Sequence, residues 1–547
     1  MASEISSPQY DVIVVGAGIN GAGIARDAAM RGLKVLLLDK GDIGSGTSSW
    51  STRLIHGGLR YLEHGEVGLV RESLRERARL MKIAPHLIRP LEILAPIYKH
   101  ARRGFWTIRA GMIAYDVLSF SNTLAPHRML STPETLRQAR GLNPDGLLGA
   151  AVYFDAQVEF AERLVLENAL SAQAHGATVL IYARVHKVTV EGGEVRGVEF
   201  THEHHGSSPT NRTGSDISIE EPHTASARVV INAAGPWIDQ LLAETVDDSP
   251  RLIGGTKGSH LIVAPFAGAP HIAIYVEAET DRRPFFIIPW NGNYLIGTTD
   301  IRYDGDLDCV RVETEEIQYL LRETNRVLPA AKLTREQILY TYSGVRPLPF
   351  TGDKDEQRIT RRHFIRRHPY VDNLFSIVGG KLTTYRSLAA QTVDLVLKKL
   401  GRDSAPCTTD REPLPGAGTS DFEGFCKDFN ERTTLPEAIR ERLLRIYGTR
   451  ASLITELLAR DASLEEVIDP ETRAIAAEIV FAFKYELAQT LSDCLLRRTM
   501  VGLNSTCGLD AVEAAASMAQ KFLGWSDNRA SQEIADYRAE ISRRFRG

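Results

Sequence analysis

The sequence predicts an α/β chain in three parts. A parallel-sheet domain is assembled from separated segments, an antiparallel sheet caps it, and an all-helical domain follows. Three observations carry this. A buried strand, a glycine loop and a helix follow one another near the start. Two more strand-to-glycine turns recur near residues 235 and 380. After a Pro/Gly-rich stretch at 406–418 the hydrophobic period becomes helical.

Residues 11–15, DVIVV, form a β-branched run suited to a parallel strand buried on both faces. GAGINGAG follows at 16–23, and residues 19–31 have a helical pattern closed by Gly32. A second strand at 34–38 ends at Asp39. The spacing has a chemical reason. Gly16 makes the tight turn, Gly18 lets the backbone approach a pyrophosphate, and Gly21 lets the helix pack close to the strand. Asn20 sits in the first helical turn, where free N–H groups and the positive dipole end meet phosphates. Asp39, about twenty residues on, can accept hydrogen bonds from an adenosine ribose. Together these predict a bound dinucleotide.

The next segment favours FAD over NAD. Gly44, Ser45, Gly46, Thr47, Ser48 and Ser49, then Ser51 and Thr52, form a small hydroxyl-rich loop that can wrap an extended dinucleotide. Its hydroxyls can donate to phosphate and ribityl groups. The run 228–237 is a second buried strand ending at Gly235, and 374–384 is a third, with Gly379 and Gly380. Each puts a glycine at the carboxyl end of a parallel strand, where ligands bind in open α/β sheets. A helix beginning just after Gly380 would aim N–H groups at the N1/O2 edge of a reduced flavin, with Thr383 and Thr384 as further donors. The fold class is therefore a discontinuous Rossmann-like FAD-binding domain (9–90, 150–240 and 340–403). A substrate cap comprises 91–149 and 241–339, a linker 404–418, and a helical C-terminal domain 419–547. Within the cap, strands at 285–290 and 294–297 flank Asn291-Gly292, the signature of a hairpin with a primed turn.

The chain has 547 residues, 65 Lys+Arg and 69 Asp+Glu, a net charge of −4 that argues against a general nucleic-acid binder. None of the five cysteines is paired in C-x-x-C spacing, so no metal or dithiol site is signalled. The N-terminus lacks the basic and apolar regions of a secretory signal, and no run of about 18 apolar residues occurs. The expected location is the cytoplasm or the inner face of the cytoplasmic membrane. Residues 100–118 mix arginines with Phe105, Trp106, Ile108, Met112, Ile113 and Tyr115. That pattern suits either a helix at a bilayer surface or a cap helix with a core-facing stripe.

At this point the motifs join. GAGINGAG at 16–23, TSSWSTRLIHGGLRYLEHGE at 47–66, NAAGPW at 232–237 and KGSH at 257–260 are followed by IGTTD ending at 300, YSGVRP at 342–347 and GGKLTTYR at 379–386. In that order they closely resemble the FAD-dependent glycerol-3-phosphate dehydrogenases of the D-amino-acid-oxidase-like superfamily, over about residues 9–400. The resemblance implies noncovalent FAD, sn-glycerol 3-phosphate as substrate, dihydroxyacetone phosphate as product and a quinone as acceptor; some relatives use oxygen. It brings His56, Gly57, Lys381 and Leu382 into the cofactor set beside Gly16, Gly18, Asn20, Gly21, Asp39, Thr47, Ser48, Ser51, Gly235, Gly380 and Thr383.

A phosphorylated polyol needs guanidinium groups, which stay charged and bind oxyanions bidentately. Arg60 with Tyr61, Arg346 in YSGVRP and Arg361 in ITRR are the candidates; in the family the corresponding arginines line the substrate pocket. Oxidation removes a hydride from C2 and a proton from the hydroxyl, so a base is wanted. His260 and His56 can accept the proton, and Lys381 can polarise the alcohol or stabilise reduced flavin. The sequence leaves the three open. An oxidase using oxygen, an amine or amino-acid oxidase of the same superfamily, and a non-catalytic flavoprotein are the competing readings. Several candidate phosphate arginines disfavour the second, and the retained Arg60, Arg346 and Lys381 disfavour the third. Helices are expected at 436–447, 470–498, 509–523 and 527–545, in a domain read as serving packing or a homodimer contact.

Overall fold

The computed structural model describes residues 9–101, 103–119, 124–202, 222–246, 249–352, 360–403 and 405–545. The His/Ser-rich loop at 201–224 falls largely outside them.

The first sheet is built on Tyr10–Val15. Across it the order runs Phe364–Arg367, Leu374–Val378, His223–Asn232, Tyr10–Val15, Val35–Leu38, Thr178–Leu180. All these neighbours are parallel except the edge strand Phe364–Arg367. Val12 and Val14 enter one core with the helices Ile19–Met30, Ala161–Ala174 and Tyr385–Leu400, while Ile13 and Val15 enter the core on the other face. Burial on both faces explains the unbroken apolar run. Gly21 packs as its spacing requires: a Cβ there would lie 1.8 Å from the Gly16 carbonyl oxygen.

The second sheet has ten strands. Its path is Ile301–Arg302, Thr256–Val263, Asn293–Gly297, Pro284–Trp290, Ala273–Glu277, Ile88–Tyr98, Leu147–Val158, Leu54–Ile55. Ile338–Arg346 also pairs with Thr256–Val263. The expected hairpin is present, with Asn291 at φ 49° and Gly292 at φ 75°, the two positive values of a primed turn. Four stretches that the sequence assigns to the dinucleotide domain, 54–55, 88–90, 150–158 and 340–346, run in this cap sheet.

The C-terminal part holds the helices Phe422–Arg432, Glu437–Tyr447, Ala451–Arg460, Ala476–Tyr485, Val512–Leu523 and Asp527–Arg544. The continuous helix expected over 470–498 is broken. A small hairpin, Val467–Asp469 with Ala474–Ile475, precedes it, and after Tyr485 the chain turns at Leu487 (φ 59°) before a single π-helical turn, Asp493–Arg498. The break has a cause: the Gln489 and Thr490 N–H groups both donate to Asp493 Oδ2, which starts a new turn. Residues 405–418 are not a free linker. Leu414 is buried, its N–H donates to the Ile83 carbonyl at 2.9 Å, and Arg26 donates to the Glu412 carbonyl at 2.7 Å. No helix among the described residues is long and apolar enough to cross a membrane.

Candidate functional site

A cavity of about 1130 Å³ runs from the carboxyl ends of the parallel strands to the underside of the cap sheet. At its start Gly16 (φ 103°) makes the turn; a Cβ there would meet the Ala233 carbonyl oxygen at 2.6 Å. Gly18 caps the following helix without a side chain, so first-turn N–H groups lack intrahelical partners. Asp39 binds the same loop: Oδ2 accepts from Ala17 N at 2.5 Å and Oδ1 from Gly41 N at 2.9 Å. Burial pushes its carboxyl up to about 6, against the pull of those two N–H groups.

The hydroxyl loop is used differently from expectation. The Thr47 hydroxyl donates to the Val345 carbonyl at 2.7 Å, so its hydrogen ties the loop to the cap rather than to a phosphate. Ser48 and Ser51 accept from the N–H groups of Ile19 (3.0 Å) and Arg53 (3.2 Å) and keep their hydrogens for donation. At the third glycine turn, Gly380 has φ 102° and a Cβ would lie 2.6 Å from Asn20 Nδ2. The helix there starts at Tyr385, not just after Gly380; residues 381–384 form a turn. The N–H groups near Gly380 are therefore those of a turn rather than of a helix end. Thr383 Oγ1 accepts from His56 N at 3.1 Å, bracing the two loops.

These residues fit FAD. The Asn20 Oδ1 and Lys381 Nζ atoms, one an acceptor and one a donor, are buried with no hydrogen-bond partner among the described residues, and both residues line the cavity. Gly235 opens onto the cavity, and a Cβ there would meet nothing within 4 Å; Leu382 lines the cavity too. Gly57, expected among the cofactor contacts, lies behind the wall. A Cβ on it would meet the Tyr115 hydroxyl at 2.3 Å, and its N–H donates to Asp155 at 3.1 Å.

The cap end is cationic. The register sets Thr256 opposite Arg346 and His260 opposite Tyr342 and Gly297. Arg346 donates from Nη1 to Asp300 Oδ1 at 3.0 Å and from Nη2 to Thr298 Oγ1 at 3.1 Å. Arg361 Nη2 donates to the other oxygen, Asp300 Oδ2, at 3.0 Å, and its Nη1 is buried with no hydrogen-bond partner among the described residues. Burial pushes the Asp300 carboxyl up, but the two guanidiniums outweigh it and hold the group below the usual range. Arg60 belongs to the 3-10 turn Leu59–His64, but its side chain lies outside the described residues.

His260 is 1% exposed and stacks on Tyr342, with 4.7 Å between ring centroids. Its Nε2 lies 3.0 Å from Thr52 Oγ1, and Nδ1 has no hydrogen-bond partner among the described residues. Burial, with the charges of Arg346 and Arg53, keeps the ring neutral far into acid. Burial likewise pushes His56 down to about 4, with Lys381 and Arg77 adding to it and Asp155 opposing. Lys381 Nζ sits 4.0 Å from the Tyr61 ring centroid, and burial lowers its ammonium. The cavity thus gathers Tyr61, His56, His260, Arg346, Arg361 and Lys381. Sequence reasoning missed Asp300 and Asp155, and it placed Thr52 in the hydroxyl loop without its contact to His260. Asp300 ends the quoted IGTTD motif, but only the sheet register puts its carboxylate between two arginines.

A family model described as FAD dependent oxidoreductase matches residues 11–386, and one described as C-terminal domain of alpha-glycerophosphate oxidase matches 407–530. The chain is 46% identical to the glycerol-3-phosphate dehydrogenase of Synechocystis sp., covering 98% of this chain and 96% of that protein. It is 32% identical to the aerobic glycerol-3-phosphate dehydrogenase of Staphylococcus haemolyticus, covering 90% and 87%. Among solved structures it is similar to the glycerol-3-phosphate dehydrogenase from Bacillus halodurans complexed with FAD, with a TM-score of 0.76, 28% identity and coverage of 99% and 96%. The L-alpha-glycerophosphate oxidase from Mycoplasma pneumoniae, at 16% identity and a TM-score of 0.54 over 73% of this chain and 97% of that one, shares the fold.

Proposed function

The chain belongs to the FAD-dependent glycerol-3-phosphate dehydrogenases, and on that premise we propose that it oxidises sn-glycerol 3-phosphate to dihydroxyacetone phosphate and passes the electrons to a quinone. The observation that carries the substrate reading is the paired guanidiniums of Arg346 and Arg361 on one carboxylate, inside the same cavity as the glycine cradle. Arg346 and Arg361 bind the phosphate through the N–H groups that Asp300 leaves over; Asp300 holds the two forks in one orientation before substrate arrives. FAD, when bound, supplies a hydride acceptor for the substrate's C2 hydrogen. The hydroxyl proton goes to neutral His260, while Thr52 and the Tyr342 ring fix the imidazole. Lys381 lies at the Tyr61 side and polarises the hydroxyl oxygen. Tyr153, Tyr275 and Phe286 exclude water from the cap end.

Two features support a quinone taken from a membrane. The helix Phe105–Leu118 exposes Trp106, Ile113 and Val117 at 72%, 49% and 67%, with Arg109 beside them, while Met112 and Tyr115 face the core. An apolar pocket of about 80 Å³ beneath that helix shares Leu59, Tyr153 and Tyr275 with the main cavity. Such a face can lie in a bilayer interface. The test is re-oxidation of the substrate-reduced enzyme. A soluble quinone analogue should re-oxidise it far faster than air-saturated buffer; the reverse ranking would make the protein an oxidase.

A further inference from the structure

The helical C-terminal domain carries no cluster that the reaction needs, yet one turn of it packs behind the walls at the far end of the cofactor cavity. That end is where Asp39 closes the second parallel strand, the place at which this fold holds an adenosine ribose. Its two walls are residues 39–41 with Ser45 and Gly46, and residues 183–186; Asp42 and Tyr182 belong to the same segments but do not line the cavity. The walls are bonded to each other: Ala183 N donates to the Asp39 carbonyl at 2.7 Å, and Tyr182 N to the Gly41 carbonyl at 3.0 Å. They are bonded also to the glycine loop, through Ala17 N on Asp39 Oδ2 and Gly44 N on the Ala17 carbonyl at 3.0 Å.

On the side away from the cavity both walls are gripped by the π-helical turn Asp493–Arg498. Asp42, 1% exposed, accepts from Arg497 Nε at 2.5 Å and from Arg498 Nη1 and Nη2 at 2.7 and 2.6 Å. The Tyr182 hydroxyl donates to Asp493 Oδ1 at 2.6 Å, and Arg497 Nη2 donates to the same oxygen at 2.8 Å. Tyr182 has φ 56°, a left-handed conformation that a bulky residue keeps only where its surroundings impose it. Arg543 and Arg544, at the end of the last described helix, line the same cavity.

We infer that the C-terminal domain is a working part of the FAD site: Arg497, Arg498 and Asp493 are positioning residues that fix both walls of the adenosine pocket. The competing explanation is that these buried pairs only fasten two domains together. A positioning role couples them to cofactor retention; a fastening role couples them to overall stability alone. Tyr182→Phe and Tyr537→Phe separate the two, because each removes one buried hydroxyl. Tyr537 donates to the Cys507 carbonyl within the C-terminal domain, away from the pocket.

The experiment follows FAD release from the holoenzyme after dilution, by the rise of flavin fluorescence, alongside the thermal midpoint. Tyr182→Phe should speed release about tenfold, the scale of one lost charge-assisted hydrogen bond, and Arg497→Met, which loses two, by at least as much. Tyr537→Phe should leave release within twofold of the parent while lowering the midpoint. Unchanged release in Tyr182→Phe, or equal acceleration in Tyr537→Phe, would overturn the inference. If Arg497→Met does not fold, Tyr182→Phe decides alone. A parent protein that carries no flavin would instead contradict the cofactor assignment on which the inference rests.

Discussion

Replacing Arg346 by methionine keeps the bulk of the side chain and removes its charge. Of its five N–H donors, Nη1 spends one on Asp300 and Nη2 serves Thr298 and the Thr299 carbonyl. The Nε hydrogen and the second Nη1 hydrogen are left for substrate oxygens. Two charge-assisted hydrogen bonds at about 1.5 kcal/mol each amount to about 3 kcal/mol, or roughly a hundredfold in kcat/KM. Asp300 does not become an unpaired buried charge, because Arg361 stays on it at 3.0 Å. Folding and FAD content should therefore survive, and the loss should fall mainly on half-saturation. The assay is anaerobic mixing of holoenzyme with increasing glycerol 3-phosphate while the flavin band bleaches. Arg346→Lys should recover part of the loss, since an ammonium keeps the charge but not the fork. A half-saturating concentration within threefold of the parent would remove Arg346 from the phosphate site.

Four other expectations rest on the same structure. His260 is kept neutral by burial and by Arg346 and Arg53. Its base form is present above its lowered pKa and lost as pH falls through it, so kcat/KM should be flat from pH 8 down to about 6.5, the ordinary imidazole value, with the acid limb below; a limb centred near pH 7 in a pH–rate profile would assign the proton elsewhere. His56, held at about 4, contributes stability above the ordinary imidazole pKa that is lost as pH falls toward 4, because the unfolded chain takes up a proton the folded one refuses; thermal midpoints of His56→Gln should fall less between pH 7 and 5 than those of the parent. Gly16→Ala puts a methyl against the Ala233 carbonyl at a φ of 103°, so the purified variant should be colourless, and a full flavin spectrum would show that the loop tolerates a side chain. Trp106→Ser with Ile113→Ser should abolish co-sedimentation with anionic lipid vesicles and leave anaerobic bleaching intact; sedimentation equal to the parent's would place any membrane contact on another face.

Local features were legible in the sequence. The strand–glycine–helix unit, the Asn291-Gly292 turn and the parallel strands at 228 and 374 depend on a few neighbouring residues, and each formed where its chemistry required. What failed depended on distant partners. The loop at 405–418 has the composition of a linker, but Leu414 is buried and the Gly416 N–H donates to buried Glu167. The helix over 470–498 has adequate periodicity, yet Asp493 caps a new turn and Arg497 and Arg498 are committed to Asp42, more than four hundred residues earlier. In the site, residue types were readable and their pairing was not. The need for phosphate ligands points to Arg346 and Arg361 as candidates; the carboxylate of Asp300 between them follows from sheet register alone. Thr47 was chosen for its hydroxyl, which the fold spends on Val345.

The most direct test of the central claim is the visible spectrum of the purified protein under strict anaerobiosis. Flavin bands that bleach on adding glycerol 3-phosphate, and persist with glycerol or an amino acid, are the predicted result. Flavin bands that glycerol 3-phosphate leaves unchanged would contradict it.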